Sequence, residues 1–404
     1  MFRRREGFAP KLTFLVLRIT LFVSRALGLL PFTLDAQKRQ LRRSTWLLVY
    51  GVTMNILLLF LFVLCTRYRA ETGQDMEVFK RSDVLMWINV LIGLLGLIVS
   101  CGVHCITFSK SGQVLKILNE LLVLEDQHFG SLNVEDASKF NFYVIQKFMS
   151  TVGEVLGVLI ATFGMPEFSS SWLLVFFLCI TLISLDLVVM HFLLAMLYIY
   201  RSVWLINRQL LSIFSRLRVN PLSDSSRIQL LLSLYVRLLA LSKQLEVTHE
   251  GQITLILTGS LSGNIVIIYF LIVYTVSMGQ FSIPLLMFPF SLMMNMWEYW
   301  LIICACELTE RTGRHTSTIL KLFSDLEHTN VHMERSVSKS IPTLNDISCL
   351  LSQQINEFTW LCSHRRFRFS LYGFISVNFQ MGFRMIVATF TYLLCLVQFD
   401  FMNL

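Results

Sequence analysis

The apolar residues of this chain are gathered into runs of about 20 or more, the length an α-helix needs to cross roughly 30 Å of hydrocarbon. Seven such runs can be drawn, at 46–66, 84–108, 144–163, 172–200, 253–276, 283–306 and 374–399. Inside a bilayer each backbone N–H and C=O must find its partner within the protein, which makes helices the default. The expected fold class is all-α: a polytopic membrane protein with seven transmembrane helices. Only 15% of the residues are charged, where soluble domains run nearer about 25%.

An odd number of spans puts the termini on opposite sides, and Lys and Arg decide which. Ten of them precede the first span, and three, seven and eight follow the second, fourth and sixth. The other side holds four, all after the first span, so the tally is 28 against 4. The positive-inside rule then predicts an intracellular N-terminus and an extracellular C-terminus. The formal charge of +8 reads as a topology signal, not as the mark of a nucleic-acid partner. The nine cysteines are expected to be free thiols, most of them small core residues inside the spans. There is no N-x-S/T sequon, in keeping with short outer loops. Loops of the length of 164–171 and 277–282 hold no domain, so a ligand is expected to bind among the helices.

Residues 11–32 are apolar but interrupted. Lys11, Arg18 and Arg25 recur every seven residues on one helix face, with Leu12, Leu15, Ile19, Phe22 and Leu29 assigned to the other. A cleaved signal needs an uninterrupted apolar core. The expectation is an interfacial amphipathic helix with its basic heads at the lipid headgroups, or a re-entrant segment packed on the bundle. The long cytosolic connections 201–252 and 307–373 carry Ile228, Leu231, Tyr235, Leu238 and Leu245, and Ile347, Leu351, Ile355 and Phe358, at helical spacing behind Pro221 and Pro342. They are expected to extend the fourth to seventh spans as cytosolic helices forming an anchor region. Their apolar faces would pack either between subunits or within the chain. The resulting division is 1–44 for the cytosolic N-terminus, 45–306 for a ligand-binding bundle, 307–373 for the linker and anchor helix, and 374–404 for the last helix.

The last span ends in Thr391-Tyr392-Leu393-Leu394-Cys395-Leu396-Val397-Gln398-Phe399. Seven residues make about two helical turns, so Arg384, Thr391 and Gln398 share a face. A polar stripe on a lipid-length helix lines something wet or is glued to another helix by hydrogen bonds. The string T-Y, five apolar residues, Q-F resembles the C-terminal signature of the insect gustatory receptors, and every fixed letter matches. It sits in the seventh of seven spans, where that family has it.

Charges inside spans are Glu154, Asp186, Glu298 and Arg384. Each costs about 2.5–3.5 kcal/mol on insertion scales when it faces lipid alone, so each should face protein or water. Arg384 with Glu298 is the expected pair, and Lys147, near a span end, is expected to snorkel. Arg384 stands in tension with a cation pathway along its own stripe, unless it is paired, the helix turns near Gly382, or the pathway is already wide there. No catalytic or cofactor motif is present: there is no Walker A string, no dinucleotide fingerprint and no H-E-x-x-H. Cys101, His104 and Cys105 lack further metal ligands nearby.

The resemblance implies a tastant-gated, non-selective cation channel subunit, four copies around one pore, homomeric or heteromeric, in the plasma membrane of chemosensory neurons. It implies no enzyme activity and no cofactor. On that reading Thr391, Tyr392, Cys395, Gln398 and Phe399 belong to the pore and gate, and Phe399 closes it by dewetting. Ligand contacts are expected from the outer halves of the middle spans, at Trp87, Asn89, Phe163, Thr181, Tyr269, Tyr274 and Asn295. A bitter ligand is the default. The alternatives are a G-protein-coupled receptor and a secondary transporter. The charge tally and the missing D-R-Y and N-P-x-x-Y strings oppose the first. The lack of an internal repeat opposes the second.

Overall fold

The computed structural model describes residues 8–35, 40–73, 83–129, 138–163, 172–216, 221–278, 283–334 and 342–403. Side chains near several segment ends, those of Phe163 and Tyr274 among them, lie outside that description. The helices are α1 (Phe8–Ala26), α2 (Thr45–Gly73), α3 (Asp83–Ser109), α4 (Ser111–Leu124), α5 (Ser138–Phe163), α6 (Trp172–Arg216), α7 (Pro221–Met278), α8 (Ile283–Glu334), α9 (Pro342–His364) and α10 (Phe379–Asn403). A π-helical turn, Glu125–Phe129, follows α4. Two short hairpins complete the described residues: β1 (Phe32–Asp35) with β2 (Gln40–Arg43), and β3 (Ser370–Leu371) with β4 (Ile375–Ser376). The protein is an all-α polytopic membrane protein.

Six described helices are long and apolar enough to cross a membrane: α2, α3, α5, α6, α7 and α10. The expected 283–306 span forms the first part of α8, whose described portion carries Glu298 and Glu307. More than half of the apolar window of α6 is buried (56%), against 17–28% in the other five. That difference makes α6 the central helix, with α2, α5, α7 and α8 packed around it. The outer helices turn Trp46, Ile56, Phe60, Trp87 and Leu91 outward, as helices facing hydrocarbon do. Gly153 and Gly157 of α5 admit Met294 and Phe290 of α8. Small residues at that spacing let two membrane helices approach closely.

Helix α7 has 58 residues; at 1.5 Å per residue it is about 87 Å long, far more than a bilayer thickness. Helices α6 and α8 overrun it as well. The expected extensions of the fourth, fifth and sixth spans are therefore continuous with them, whereas that of the seventh, α9, is a separate helix divided from α10 by the β3–β4 hairpin. Ile228, Leu231, Tyr235, Leu238 and Leu245 of α7 are buried, as are Ile355 and Phe358 of α9. The Tyr235 ring meets Phe358 and Phe367 edge-on, with centroids 5.3 and 5.2 Å apart. Of the two readings of these apolar faces, packing within the chain accounts for these residues. Trp360 of α9, 64% exposed, is left over on the outside. Burial pushes the Cys362 thiol in this core up to about 12, which keeps it protonated and unreactive.

The seventh span begins later than expected. Residues 375–376 pair with 370–371 through a turn in which Tyr372 (φ 50°) and Gly373 (φ 76°) are both left-handed. That is the signature of a tight hairpin turn, and it delays α10 to Phe379. Glu246 of α7 holds the hairpin by accepting from Ser370 Oγ (2.5 Å) and Ser370 N (3.2 Å). The other hairpin is clamped to α4, where Asn119 both accepts from Leu41 N (2.8 Å) and donates to Leu41 O (3.0 Å).

Helix α1 packs on α5 and α6. Its buried face is Thr13, Val16, Leu17, Thr20 and Ser24. Leu15, Ile19 and Phe22 are exposed together with Lys11, Arg18 and Arg25, not opposite them. At 100° per residue Leu15 and Phe22 fall within about 40° of Lys11, so the expected two-face division was wrong. Ser24 Oγ and His191 Nε2 of α6 share a hydrogen bond of 2.8 Å. After α1 the chain lies flat on α2 at Gly28 (φ 70°), where a Cβ would stand 2.4 Å from Gly51 Cα.

Candidate functional site

Helix α10 packs on α7 and α8. Its buried residues are Gly382, Met385, Thr389 and Leu393, spaced three or four apart and therefore on one face. A Cβ on Gly382 would stand 2.8 Å from Trp300 Cζ3 and 2.9 Å from Ile303 Cδ1. Gly382 thus serves close contact with α8 near the start of α10, not a turn within it. Trp300 stacks on Phe379 one turn earlier, with centroids 5.4 Å apart. Arg384, Val387, Thr391, Cys395 and Gln398 are all exposed, and at 100° per residue they lie opposite the buried face. Tyr392 (57%) and Phe399 (60%) are exposed on a flank. Among the described residues no other helix covers this polar edge, and Thr391 Oγ1 donates back along α10 itself to Val387 O (3.0 Å).

The intramembrane charges assemble differently from expectation. Lys147 of α5 is wholly buried, and its Nζ lies 2.5 Å from Glu298 Oε1 of α8 and 3.3 Å from Asp186 Oδ1 of α6. Glu154, two helical turns beyond Lys147, completes a group in which oxygens of Glu154, Asp186 and Glu298 lie within 4.8 Å of one another. Two expectations are corrected here: Lys147 does not snorkel, and Glu298 pairs with Lys147, leaving Arg384 exposed. The true start of α5 at Ser138 puts Lys147 about 14 Å inside the helix, beyond snorkelling reach. Carboxylates so grouped are metal-ligand chemistry in principle, but the lysine ammonium already sits among them as the counter-cation. The Cys101, His104 and Cys105 set does not converge in this way. His104 is buried with neither ring nitrogen bonded among the described residues, whereas Cys105 is exposed.

The expected ligand contacts are spread over five helices. Trp87 is 68% exposed on the outside of α3, so it does not face the bundle interior. Asn89 is half-buried. Thr181 is buried and donates to Phe177 O (3.0 Å). Tyr269 is buried in a small cluster with Leu85 of α3 and Leu393 of α10. Asn295 of α8 is half-buried, its Nδ2 3.6 Å from where a Cβ on Gly263 of α7 would stand. Next to that contact is Asn264, which sequence reading missed. It is fully buried, and both carboxamide atoms lack a hydrogen-bond partner among the described residues. A polar group left so in a membrane helix is costly without water or a ligand. A separate cavity of ≈ 30 Å³ lies among Thr107, Lys110, His191, His249 and Gln252, room for about two waters.

The sequence profile of the family described as 7tm chemosensory receptor matches residues 17–339 and 350–403. Gustatory receptor 22b of Drosophila melanogaster is 46% identical over 407 residues, covering 100% of both chains. The chain belongs to the insect gustatory receptor family. A second fly gustatory receptor, 22a, is 40% identical over 96% of this receptor and 94% of its own length. A third, named gustatory receptor for bitter taste 22e, is 37% identical over 99% of this receptor and 98% of its own length. Among solved structures, the insect olfactory receptor OR5 of Machilis hrabei superposes with a TM-score of 0.63 at 12% identity, covering 97% of this receptor and 100% of that chain. The same protein in complex with eugenol gives 0.65 at 13%. At those identities the likeness speaks for the fold.

Proposed function

We propose that this chemoreceptor is a subunit of a tastant-gated, non-selective cation channel, with four like chains around one pore in the plasma membrane of chemosensory neurons. The observation that carries the reading is the open polar edge of α10. The chain packs the opposite face of that helix and leaves Arg384, Thr391 and Gln398 outward. Exposing such groups to lipid alone costs about 2.5–3.5 kcal/mol for a charge at mid-membrane. Neighbouring copies around a shared wet conduit remove that cost. Gln398 and Phe399 then stand at the narrow outer end, and Tyr392 packs against a neighbour. Arg384 is 14 positions earlier, about 21 Å down the helix, where the conduit is already wide. The positive-inside tally supports a cytosolic N-terminus.

The tastant binds within the bundle, with Asn264 and Asn295 offering the polar contacts and the apolar flanks of α7 and α8 the walls. A bitter ligand is favoured by the relative named for bitter taste. Binding opens the pore to the extent that the open arrangement holds the ligand more tightly. The test is expression of the receptor alone and with related subunits, with currents recorded under a panel of tastants. Unitary, agonist-dependent currents altered by Gln398→Ala and Phe399→Ala are expected. Currents unchanged in both variants, or saturable flux without unitary steps, would overturn the proposal.

A further inference from the structure

Helix α1 carries its cations in an unusual setting. Lys11, Arg18 and Arg25 are exposed and seven residues apart, so they form one line along the helix. Phe14 lies on one side of that line and Leu15 and Phe22 on the other, all three exposed. The helix contains no acidic residue, and none of the three cations has a carboxylate partner among the described residues. The opposite face is spent on packing against α5 and α6. The outward face is thus a basic line bordered by apolar walls, which no part of the described chain covers.

Its depth follows from its ties to α2. Tyr50 Oη donates to Ala26 O (2.5 Å), and Asn55 Nδ2 donates to Leu27 O (3.1 Å). Those donors lie 5 and 10 residues past the start of α2 at Thr45, that is about 8 and 15 Å along it. The end of α1 therefore lies about 8–15 Å past the point where the first span begins, inside the bilayer. From there long basic side chains extend toward the phosphates, and exposed aromatic and aliphatic side chains meet the acyl chains.

We infer that the outward face of α1 is a docking surface for acidic phospholipids of the cytosolic leaflet, the phosphates seated on Lys11, Arg18 and Arg25 and the acyl chains against Phe14, Leu15 and Phe22. The leaflet rests on the cytosolic placement of the N-terminus proposed above. The headgroup selectivity rests on charge alone: a net-negative lipid gains a Coulombic attraction that a zwitterionic one lacks. The bound lipid covers the exposed face of α1 and holds the helix against α5 and α6.

The full-length receptor is reconstituted in nanodiscs of phosphatidylcholine mixed with phosphatidylserine, extracted with its bound lipid, and weighed by native mass spectrometry. Phosphatidylserine is expected to be retained above its share of the disc. The excess falls in high salt, and by roughly fivefold for each cation removed in Lys11→Gln, Arg18→Gln and Arg25→Gln variants. An Arg18→Lys, Arg25→Lys variant keeps the charge and is expected to keep the excess. Retention of lipid in the input ratio, or an excess that survives both neutralisation and high salt, would overturn the inference. If the neutralised receptor is not recovered folded, the salt response of the wild-type protein still decides. The readout needs no current, and both leaflets of the disc offer the same lipid, so its failure is distinct from failure of the pore or of the orientation. Access of an N-terminal tag in intact cells reports the latter.

Discussion

Two polar regions of this receptor sit in membrane helices and are treated in opposite ways. The group at Lys147 is closed: Asp186 and Glu298 reach it from two other helices, and almost no water-accessible surface remains. The edge at Arg384, Thr391 and Gln398 is open, with its own chain packed on the far side of the helix. A closed group is balanced by the fold of one chain, and its loss should appear as instability. An open edge is balanced only by what lies outside the chain, and its loss should appear in function. The contrast separates what the chain needs to fold from what the proposed assembly uses.

The largest effect is expected at the closed group. Lys147→Met strands two buried carboxylates and should cost about 3–5 kcal/mol, read as loss of monodisperse receptor in size-exclusion chromatography and a lowered Tm. Leu393→Ala empties the packed side of α10, beside Leu85 and Tyr269; about 2–5 kcal/mol is expected, by the same thermal assay. Gly382→Val drives a side chain into Trp300 and Ile303 and should cost about 1–3 kcal/mol while displacing α10. The smallest stability change is expected at the open edge. Gln398→Ala should leave the stability within about 0.5 kcal/mol of wild type and yet change permeation. A Gln398→Ala variant as unstable as Lys147→Met would erase the distinction.

The spans, the cytosolic extensions of the fourth to sixth spans and the family were legible because hydropathy, charge asymmetry and the Thr391–Phe399 string are local signals. Lys147 was misread because its role depends on where α5 starts, and the polar residues before Val144 hid six further residues of helix. Its position one, and then two, turns before Thr151 and Glu154 was the available signal, since the three share a face. The Arg384–Glu298 pairing failed for another reason. Depth along two helices says nothing about their rotation, and α10 turns Gly382 and Met385, not Arg384, toward its neighbours. The hairpin at 370–376 was invisible because its hydrophobic residues continue straight into those of the last span. Asn264 carried no pattern at all; its interest comes from burial without a partner.

The decisive measurement is an electron cryo-microscopy map of the receptor assembled in lipid. Four chains are expected, with the α10 helices gathered at the symmetry axis and Thr391 and Gln398 of each facing a water-filled passage. An assembly in which that edge is pressed against lipid, or covered by a neighbour with no opening at the axis, would contradict that expectation.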